Sequence, residues 1–396
     1  MLSEKIRTIA PSPTLAIDDK VKTMKAEGID VIGFGAGQPD FDTPDHIKQA
    51  AIKAIEDGFT KYTPASGTKE LKEAICRKLL RDNSLEYTPA NIVVSNGAKQ
   101  SLVNTFTAIC NPGDEVIVPA PYWVSYPEMI KLADGVPVIL YTKEEQNFKF
   151  SVEDLKEKIT DKTRALVLNS PSNPTGMLYS AEELKEIGQL AVEHDFYIVS
   201  DEIYEKLVYD GLKHVSIASV SDEIKDRTII INGLSKSHAM TGWRIGYTAS
   251  NATIAKAMGN LQSHQTSNPN SIAQKAAEAA FVGEQECVEA MRKTFEERRN
   301  YMVDRINGIE GLSCRKPSGA FYVMMNVSQC FGKELYGYQI NSSDDFCNAL
   351  LETAKVAVVS GIGFDADGFV RLSYATSMKN IQEGLDRIEK FLKNEF

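Results

Sequence analysis

The residues best suited to covalent chemistry lie together in the segment 232–247. Lys236 follows an apolar, strand-like run, is flanked by Ser235 and Ser237, and is followed eight residues later by Arg244. A lysine whose pKa is depressed by burial forms imines with carbonyl compounds, and serine and arginine side chains suit a phosphate group. Lys236 is therefore a candidate nucleophile, and Ser235 and Arg244 are candidate phosphate ligands.

Two further segments place polar side chains directly after apolar runs. Asp201 ends the run 197–201, where a carboxylate can hold the protonated ring nitrogen of an electron-sink cofactor, although capping a helix is the commoner role. Tyr204 follows at helical spacing and can donate to a ring oxygen. Asn173 lies in a turn with two prolines and a glycine, where its amide either meets a ligand oxygen or only completes the turn.

A turn of small residues, Gly97 and Ala98, separates the apolar run 92–94 from a helical pattern. Its backbone N–H groups and the helix dipole can bind a phosphate, and an ordinary strand-to-helix turn is the alternative. All of these candidates follow strand ends, where open α/β sheets bind their ligands.

The elements that must position these residues are short apolar runs alternating with helical patterns, as in a parallel sheet whose strands are buried on both faces. The runs begin at residues 92, 115, 165, 197, 228 and 245, and the pattern predicts helices over 181–194 and 273–281. Ser180 and Glu183 form a predicted capping box for the first of these helices.

The C-terminal third has a different pattern, because helices and strands are mixed rather than alternating. Helices are predicted over 289–305 and 380–394, and strands over 321–325 and 370–374. We therefore predict an α/β protein in which residues 45–285 form a large cofactor-binding domain with a mostly parallel sheet covered by helices. Residues 1–44 and 286–396 would form a smaller α+β domain.

The composition argues against several classes of function. A net charge of −10 gives no counterion-release advantage for binding nucleic acid. The cysteines lack C-x-x-C spacing, and no metal site is predicted. The N-terminus lacks the apolar region of a signal peptide, and no run is long enough to span a bilayer, which predicts a cytoplasmic protein without a membrane partner. Gln38 replaces the last glycine of a dinucleotide fingerprint, which argues against a nicotinamide cofactor.

In their order and spacing, the segments around Gly97, Asn173, Asp201 and Lys236 together resemble those of the class I, fold-type I aminotransferases that depend on pyridoxal 5′-phosphate. The likeness is greatest to the bacterial aspartate aminotransferases of subgroup Ib and covers nearly the whole chain. It implies that Lys236 holds the cofactor as an aldimine and shuttles a proton. It also implies that Asp201 pairs with the pyridine nitrogen, and that Tyr204 and Asn173 bind the ring oxygen.

The resemblance assigns further contacts around the cofactor and the substrate. It implies that Trp123 stacks on the ring, that Arg371 clamps the substrate α-carboxylate, and that Gly37 meets the substrate through its backbone. Asn173, Trp123 and Lys99 would contact both the cofactor and the substrate. The implied phosphate ligands are Gly97, Ala98, Ser235, Arg244 and, from a second subunit, Tyr62. The family therefore implies a homodimer with shared active sites, and also a cis peptide before Pro174.

The sequence departs at one point from the pattern of the aspartate aminotransferases of animals and enteric bacteria, and this point concerns the distal carboxylate of the substrate. Residues 245–291 contain no arginine to grip it, and in subgroup Ib a lysine takes that role, here Lys99. A lysine facing solvent is the alternative. The implied reaction moves the amino group of L-aspartate to 2-oxoglutarate, giving oxaloacetate and L-glutamate by a ping-pong mechanism. Thr14 together with Lys99 keeps open a broader enzyme that uses prephenate or aromatic substrates.

Two other functions remain as competing hypotheses. The first is a lyase, decarboxylase or synthase with the same fold, but Arg371 and Lys99 together favour amino exchange on a dicarboxylate. The second is a regulator with an aminotransferase-like domain, which usually carries a DNA-binding module. No basic helix-turn-helix pattern precedes this domain, and the retained Lys236 favours an enzyme.

Overall fold

A computed structural model describes residues 2–11 and 13–396 of the chain. The strands are, in chain order, β1 (Ile32–Gly33), β2 (Ile92–Asn96), β3 (Glu115–Ala120), β4 (Val136–Tyr141), β5 (Thr163–Asn169), β6 (Tyr197–Asp201), β7 (Thr228–Gly233), β8 (Ile245–Ala249), β9 (Ser313–Cys314), β10 (Tyr322–Asn326), β11 (Glu334–Leu335), β12 (Tyr338–Gln339), β13 (Val356–Ala357), β14 (Val359–Ser360) and β15 (Phe369–Ser373). The helices are α1 (Glu4–Arg7), α2 (Pro13–Ala26), α3 (Asp45–Glu56), α4 (Lys69–Asn83), α5 (Ala98–Ile109), α6 (Ser125–Leu132), α7 (Val152–Lys156), α8 (Ala181–Glu193), α9 (Asp222–Arg227), α10 (Ala252–Gln265), α11 (Ser271–Val282), α12 (Glu286–Asn307), α13 (Ser343–Ala354) and α14 (Met378–Leu392).

A seven-stranded sheet forms the centre of the fold, in the order β2-β8-β7-β6-β5-β3-β4. All neighbouring strands pair in parallel except β8, which is antiparallel to both β2 and β7. Residues of α5, α6 and α10 pack on one face of this sheet, and residues of α3, α4, α8 and α11 pack on the other. The predicted α/β fold with a mostly parallel, helix-covered sheet is confirmed.

A second sheet lies in the C-terminal part and is antiparallel, in the order β14-β15-β10-β9. Residues of α12, α13 and α14 share its hydrophobic core. The same core contains Ile203, Tyr204, Leu207 and Tyr209, which follow β6 of the large sheet. The domain division at residues 45 and 285 stays a prediction, because this core takes residues from both sides of it.

The predicted elements agree with the observed ones to within a few residues at each end. The capping box at Ser180 and Glu183 is present. The helix predicted over 289–305 extends in both directions into α12, a 22-residue helix. Among the described residues, no helix is long and apolar enough to cross a membrane.

Candidate active site

A cavity of about 640 Å³ opens where the parallel strands of the large sheet end, between this sheet and the C-terminal part. A volume of this size suits a small-molecule ligand. Asn169, Asp201 and Ser235 line it at or just after the carboxyl ends of β5, β6 and β7. The predicted site residues that line it are Gly37, Ala98, Lys99, Trp123, Asn173, Asp201, Tyr204, Ser235, Lys236, Arg244 and Arg371. Thr14 of α2 also lines it.

Lys236 lies just beyond the end of β7 and is partly buried in the cavity wall. Its ammonium group donates a hydrogen bond to the backbone carbonyl of Gly37. Burial, together with the positive charges of Arg244 and Arg371, lowers the pKa of Lys236 to about 8. A sizeable neutral fraction is therefore present near neutral pH, which is what a nucleophilic amine needs.

Asp201 is 4% exposed at the carboxyl end of β6. Its carboxylate accepts hydrogen bonds from Tyr126 Oη at 2.7 Å and from the Ile203 N–H at 3.2 Å. Burial raises the pKa of Asp201 to about 6 although both hydrogen bonds act to lower it. No helix begins after Asp201, where the chain turns instead, so the helix-capping alternative is wrong. A buried carboxylate of this kind suits a cationic ring nitrogen.

Ala98 and Arg244 also line the cavity, and Gly97 lies directly behind Arg244. Helix α5 begins at Ala98 with Gly97 as its N-cap, and no side chain of the described residues caps it. Arg244 packs directly over Gly97, because a Cβ added to Gly97 would lie 2.2 Å from Arg244 Nη2. Arg244 Nη1 donates to the Thr241 carbonyl at 2.9 Å. An uncapped helix start beside a guanidinium group is a favourable anion site.

Arg371, on β15, is 2% exposed and lies among aromatic rings and oxygen atoms. Its guanidinium donates to Asn173 Oδ1 at 3.0 Å and to the Gly35 carbonyl at 2.9 Å, and its centre lies 4.4 Å from the Tyr322 ring. Its Nε atom is buried without a hydrogen-bond partner. The charge of Asp18 acts on Arg371, but no carboxylate of the described residues forms a salt bridge with it, so this buried cation suits a planar anionic ligand.

Trp123 and Lys99 border the mouth of the cavity. Lys99 Nζ lies 4.8 Å from the centre of the Trp123 ring, and the Trp123 ring meets the Tyr126 ring edge-on at 5.4 Å. The Lys99 side chain is exposed, while desolvation and the charge of Arg244 lower its pKa. Lys99 thus lines the cavity beside Trp123, and its contact with a substrate stays a prediction.

Two predicted residues lie outside this cavity lining. Gly97 is the N-cap of α5 and lies behind Arg244. Tyr62 is 89% exposed and is not part of its own chain's cavity. The peptide before Pro174 is cis, as the resemblance implies.

The structure adds contacts that the sequence did not indicate. Tyr126 binds Asp201, and Tyr322 Oη lies 3.1 Å from Tyr204 Oη while its ring packs on Arg371. Asn169 accepts a hydrogen bond from the Asn173 N–H at 2.7 Å and donates to the Asp201 carbonyl at 2.9 Å. The only sequence signal for Tyr126 is its position three residues after Trp123.

Together these groups fit a phosphorylated aromatic cofactor with a reactive carbonyl. A candidate anion site, an amine with a lowered pKa and a buried carboxylate line one cavity, together with the buried guanidinium of Arg371. Such a cofactor acts as the electron sink, and the protein orients it and tunes its charge.

Comparisons with known proteins agree with this geometry. Residues 29–388 match the family model for class I and II aminotransferases. The chain is 53% identical over 393 residues to an aspartate aminotransferase of Bacillus sp. (strain YM-2), and 50% identical over 395 residues to an aspartate/prephenate aminotransferase of Nitrosomonas europaea, with 99% of each chain covered in both cases. The crystal structure of the aspartate aminotransferase from Rhizobium meliloti superposes with a TM-score of 0.96 at 43% identity, covering 99% of both chains.

Proposed function

The chain belongs to the family of class I and II aminotransferases, and from this premise we propose that it transfers the amino group of L-aspartate to 2-oxoglutarate with pyridoxal 5′-phosphate as cofactor. The products are oxaloacetate and L-glutamate. One observation carries the proposal: Arg371 and Lys99, two cations suited to the two carboxylates of the substrate, line the same cavity as Lys236. Full-length relatives that bear the name aspartate aminotransferase support it.

Bound pyridoxal phosphate would supply an electron sink for the carbanion at the substrate α-carbon. Asp201 would hold the ring nitrogen in its protonated form, and Tyr204 and Asn173 would bind the ring oxygen. Trp123 would stack on the ring, while the α5 N-terminus, Ser235 and Arg244 would bind the phosphate. Apart from the α5 N-terminus, which Ala98 represents in the lining, every residue given a role here lines the cavity.

Lys236 would perform two tasks in turn. Its neutral Nζ would hold the cofactor, and as a free amine the same Nζ would accept the proton of the substrate α-carbon and later release it. A pKa of about 8 suits both tasks, because the amine both accepts and releases a proton near neutral pH.

Substrate selection would depend on two cations of different character. Arg371 offers a planar fork to the α-carboxylate, held in place by Asn173 and the Gly35 carbonyl. Gly37 would meet the same carboxylate end through its backbone. Lys99 would hold the distal carboxylate, as in subgroup Ib, and a compact ammonium accepts several acidic side chains because it imposes no fixed geometry.

The test is to mix the protein and pyridoxal phosphate with a panel of amino donors and 2-oxoglutarate, and to measure glutamate. We expect aspartate to give the highest kcat/KM and apolar donors to give at least about tenfold less, as expected for loss of one charge contact. Glutamate formation from no donor in the panel would contradict an aminotransferase. An apolar donor that outperforms aspartate would contradict the dicarboxylate preference.

A second activity, amino transfer to prephenate, is favoured by one observation. Thr14 and Lys99 line the same cavity, and a relative that is 50% identical bears the name aspartate/prephenate aminotransferase. Prephenate is itself a dicarboxylate, so the same two cations suit it. With aspartate as donor, formation of the aminated product would support this activity, and its absence at saturating prephenate would contradict it.

We also propose a cytoplasmic homodimer in which Tyr62 completes the phosphate site of the partner subunit. Its 89% exposure leaves the Tyr62 side chain accessible to a second subunit. Size-exclusion chromatography with light scattering should give twice the mass of one chain. Tyr62→Phe should weaken cofactor binding about tenfold, the loss expected for one hydrogen bond to a charged phosphate. A monomer with full cofactor affinity would contradict the shared site.

A further inference from the structure

The segment from Asp201 to Glu205 presents different residues to its two sides. Asp201 and Tyr204 line the cavity, whereas Glu202 and Glu205 bind residues outside it. Glu202 is 0% exposed, and the Glu205 side chain is 7% exposed. Burying an ionised carboxylate is costly unless it is paired and hydrogen-bonded. Two such residues directly beside two cofactor contacts therefore call for a physical role.

Glu202 is held from three directions. Its Oε1 atom accepts hydrogen bonds from Ser200 Oγ at 2.9 Å and from Ser216 Oγ at 2.6 Å. Its Oε2 atom lies 3.2 Å from His214 Nε2. The Glu202 N–H also donates to the carbonyl of Ile231 on β7 at 2.9 Å. Since Ser200 belongs to β6, these contacts fix the first residue after Asp201 against two strands and a loop.

Glu205 is held as firmly by a different set of partners. It forms a close ion pair with the buried Lys78 and accepts hydrogen bonds from Asn83 Nδ2 at 2.9 Å and from Asn232 Nδ2 at 2.8 Å. Burial alone would raise the pKa of Glu205, but Lys78, His214 and Lys206 outweigh it and lower the pKa to about 2. Glu205 is therefore ionised throughout the physiological range and stays bound to its partners.

The partner Asn232 links this network to the nucleophile. It lies near the end of β7, four residues before Lys236, and its Oδ1 atom accepts a hydrogen bond from the Gly233 N–H at 2.7 Å. Glu205 thus ties the chain after Tyr204 to the strand that delivers Lys236. The connection is made on the side of the segment away from the cavity, where a cofactor would not disturb it.

We propose that Glu202 and Glu205 are positioning residues, which hold Asp201 and Tyr204 in register with Lys236 so that all three meet one cofactor molecule. This role rests on the proposed pyridoxal phosphate chemistry and extends it to residues that touch neither cofactor nor substrate. Groups that support a reacting constellation must hold it to within a fraction of an ångström, because small displacements are costly in rate.

A metal site is the alternative use of the same residues. Ligand atoms of Glu202, Glu205 and His214 lie within 4.8 Å of one another, and no other such group occurs in the described part of the chain. However, both oxygens of Glu205 already face donors, and the ammonium of Lys78 supplies the balancing cation. Both carboxylates are therefore satisfied without an ion, although His214 Nδ1 is buried and has no hydrogen-bond partner among the described residues.

The test compares Glu205→Gln with Asp210→Asn, a matched control that also separates a buried cation from its carboxylate. Arg299 donates to both Asp210 oxygens at 2.8 and 2.9 Å, and neither residue lines the cavity. The cofactor-free proteins are titrated with pyridoxal phosphate by absorbance. Glu205→Gln should raise the Kd for pyridoxal phosphate about tenfold and lower kcat by a similar factor. The KM for aspartate should change less than about threefold. Asp210→Asn should change neither Kd nor kcat beyond about twofold, whatever it does to Tm.

Two milder variants keep the test decisive if Glu205→Gln fails to fold. Ser216→Ala removes one hydrogen bond from Glu202, and Asn232→Ala removes one from Glu205. Each variant should raise the Kd for pyridoxal phosphate about threefold, which corresponds to about half the free energy of a typical hydrogen bond to a charged group. Unchanged Kd values in both would overturn the positioning role. So would a stoichiometric metal ion in the wild type that is lost in Glu205→Gln.

The same titration separates this proposal from the proposed function. A wild type that binds no pyridoxal phosphate would overturn the proposed function and the positioning role together. A wild type that binds it, with variants that bind it equally well, would overturn the positioning role alone. Weakened binding in Glu205→Gln, Ser216→Ala and Asn232→Ala but not in Asp210→Asn would support it even if aspartate proved to be a poor donor.

Discussion

Replacing Asp201 with asparagine should stabilise the cofactor-free protein while impairing its function. The carboxylate of Asp201 is 4% exposed and accepts hydrogen bonds from Tyr126 Oη and from the Ile203 N–H. An asparagine amide can keep both contacts, because its oxygen accepts from Ile203 and its nitrogen donates to the tyrosine oxygen. The substitution therefore removes a buried charge and keeps two hydrogen bonds, while the buried Tyr126 O–H loses its acceptor, which offsets part of the gain equally at every pH.

The magnitude follows from the pKa of Asp201. A rise from the ordinary 3.8 to about 6 means that folding disfavours the ionised form by about 3 kcal/mol. The sign follows from linkage. The penalty is absent below the pKa of 3.8 in the unfolded chain, grows as the pH rises from there to the folded pKa of about 6, and is complete above that pKa. Asp201→Asn should thus gain about 1 kcal/mol of stability relative to the wild type between pH 5 and pH 8, and it should be the more stable protein at pH 8, where the full penalty of about 3 kcal/mol acts on the wild type.

The assay is urea unfolding of both cofactor-free proteins between pH 5 and pH 8, with the exposed Asp161→Asn as control. The control should show no pH-dependent gap from the wild type. With pyridoxal phosphate present the order should reverse, because the cofactor stabilises the wild type by binding its ionised carboxylate. A gap for Asp201→Asn that is independent of pH, or a variant that is less stable at pH 8, would refute the reasoning.

Three other substitutions test individual contacts. Tyr126→Phe removes the 2.7 Å hydrogen bond to Asp201, worth about 1.5–3 kcal/mol for a charged acceptor, so the pKa of Asp201 should rise further and cofactor binding at pH 7 should weaken in an absorbance titration. Tyr179→Phe, another buried tyrosine, should leave binding unchanged. Lys99→Ala should raise the KM for aspartate about tenfold and the KM for an apolar donor less than about twofold in steady-state assays. Equal increases in the two KM values would show that Lys99 does not select the substrate. Arg371→Lys should raise the KM for every amino donor about 100-fold, because a buried planar fork is lost, and a normal KM for any donor would contradict its role.

The sequence predicted the central sheet well because its strands are buried on both faces. The β6 and β7 strands read as continuous apolar runs, and their ends mark the cavity. The β4 strand was missed, since it lies at the sheet edge, carries Pro137 and leaves Val136 and Tyr141 exposed. The antiparallel orientation of β8 could not be predicted either, because the hydrophobic pattern carries no information on strand direction.

For the candidate site too, the sequence indicated the residues that local pattern marks and missed those that only tertiary packing brings together. Lys236, Asp201 and Asn173 were found because each follows a strand end and carries a chemically distinctive side chain. Tyr126 and Tyr322 were missed, because their partners lie 75 and 118 residues away in the chain and only folding brings them together. Contacts of this kind depend on tertiary packing, which local sequence spacing does not encode.

The most direct test of the central claim is to identify the residue that holds the cofactor. The purified protein is incubated with pyridoxal phosphate, reduced with borohydride, digested and analysed by mass spectrometry. Lys236, partly buried with a pKa lowered to about 8, should carry the reduced cofactor, and the visible absorption band should disappear on reduction. A stable adduct on Lys99 or on any other lysine, with Lys236 unmodified, would contradict the account.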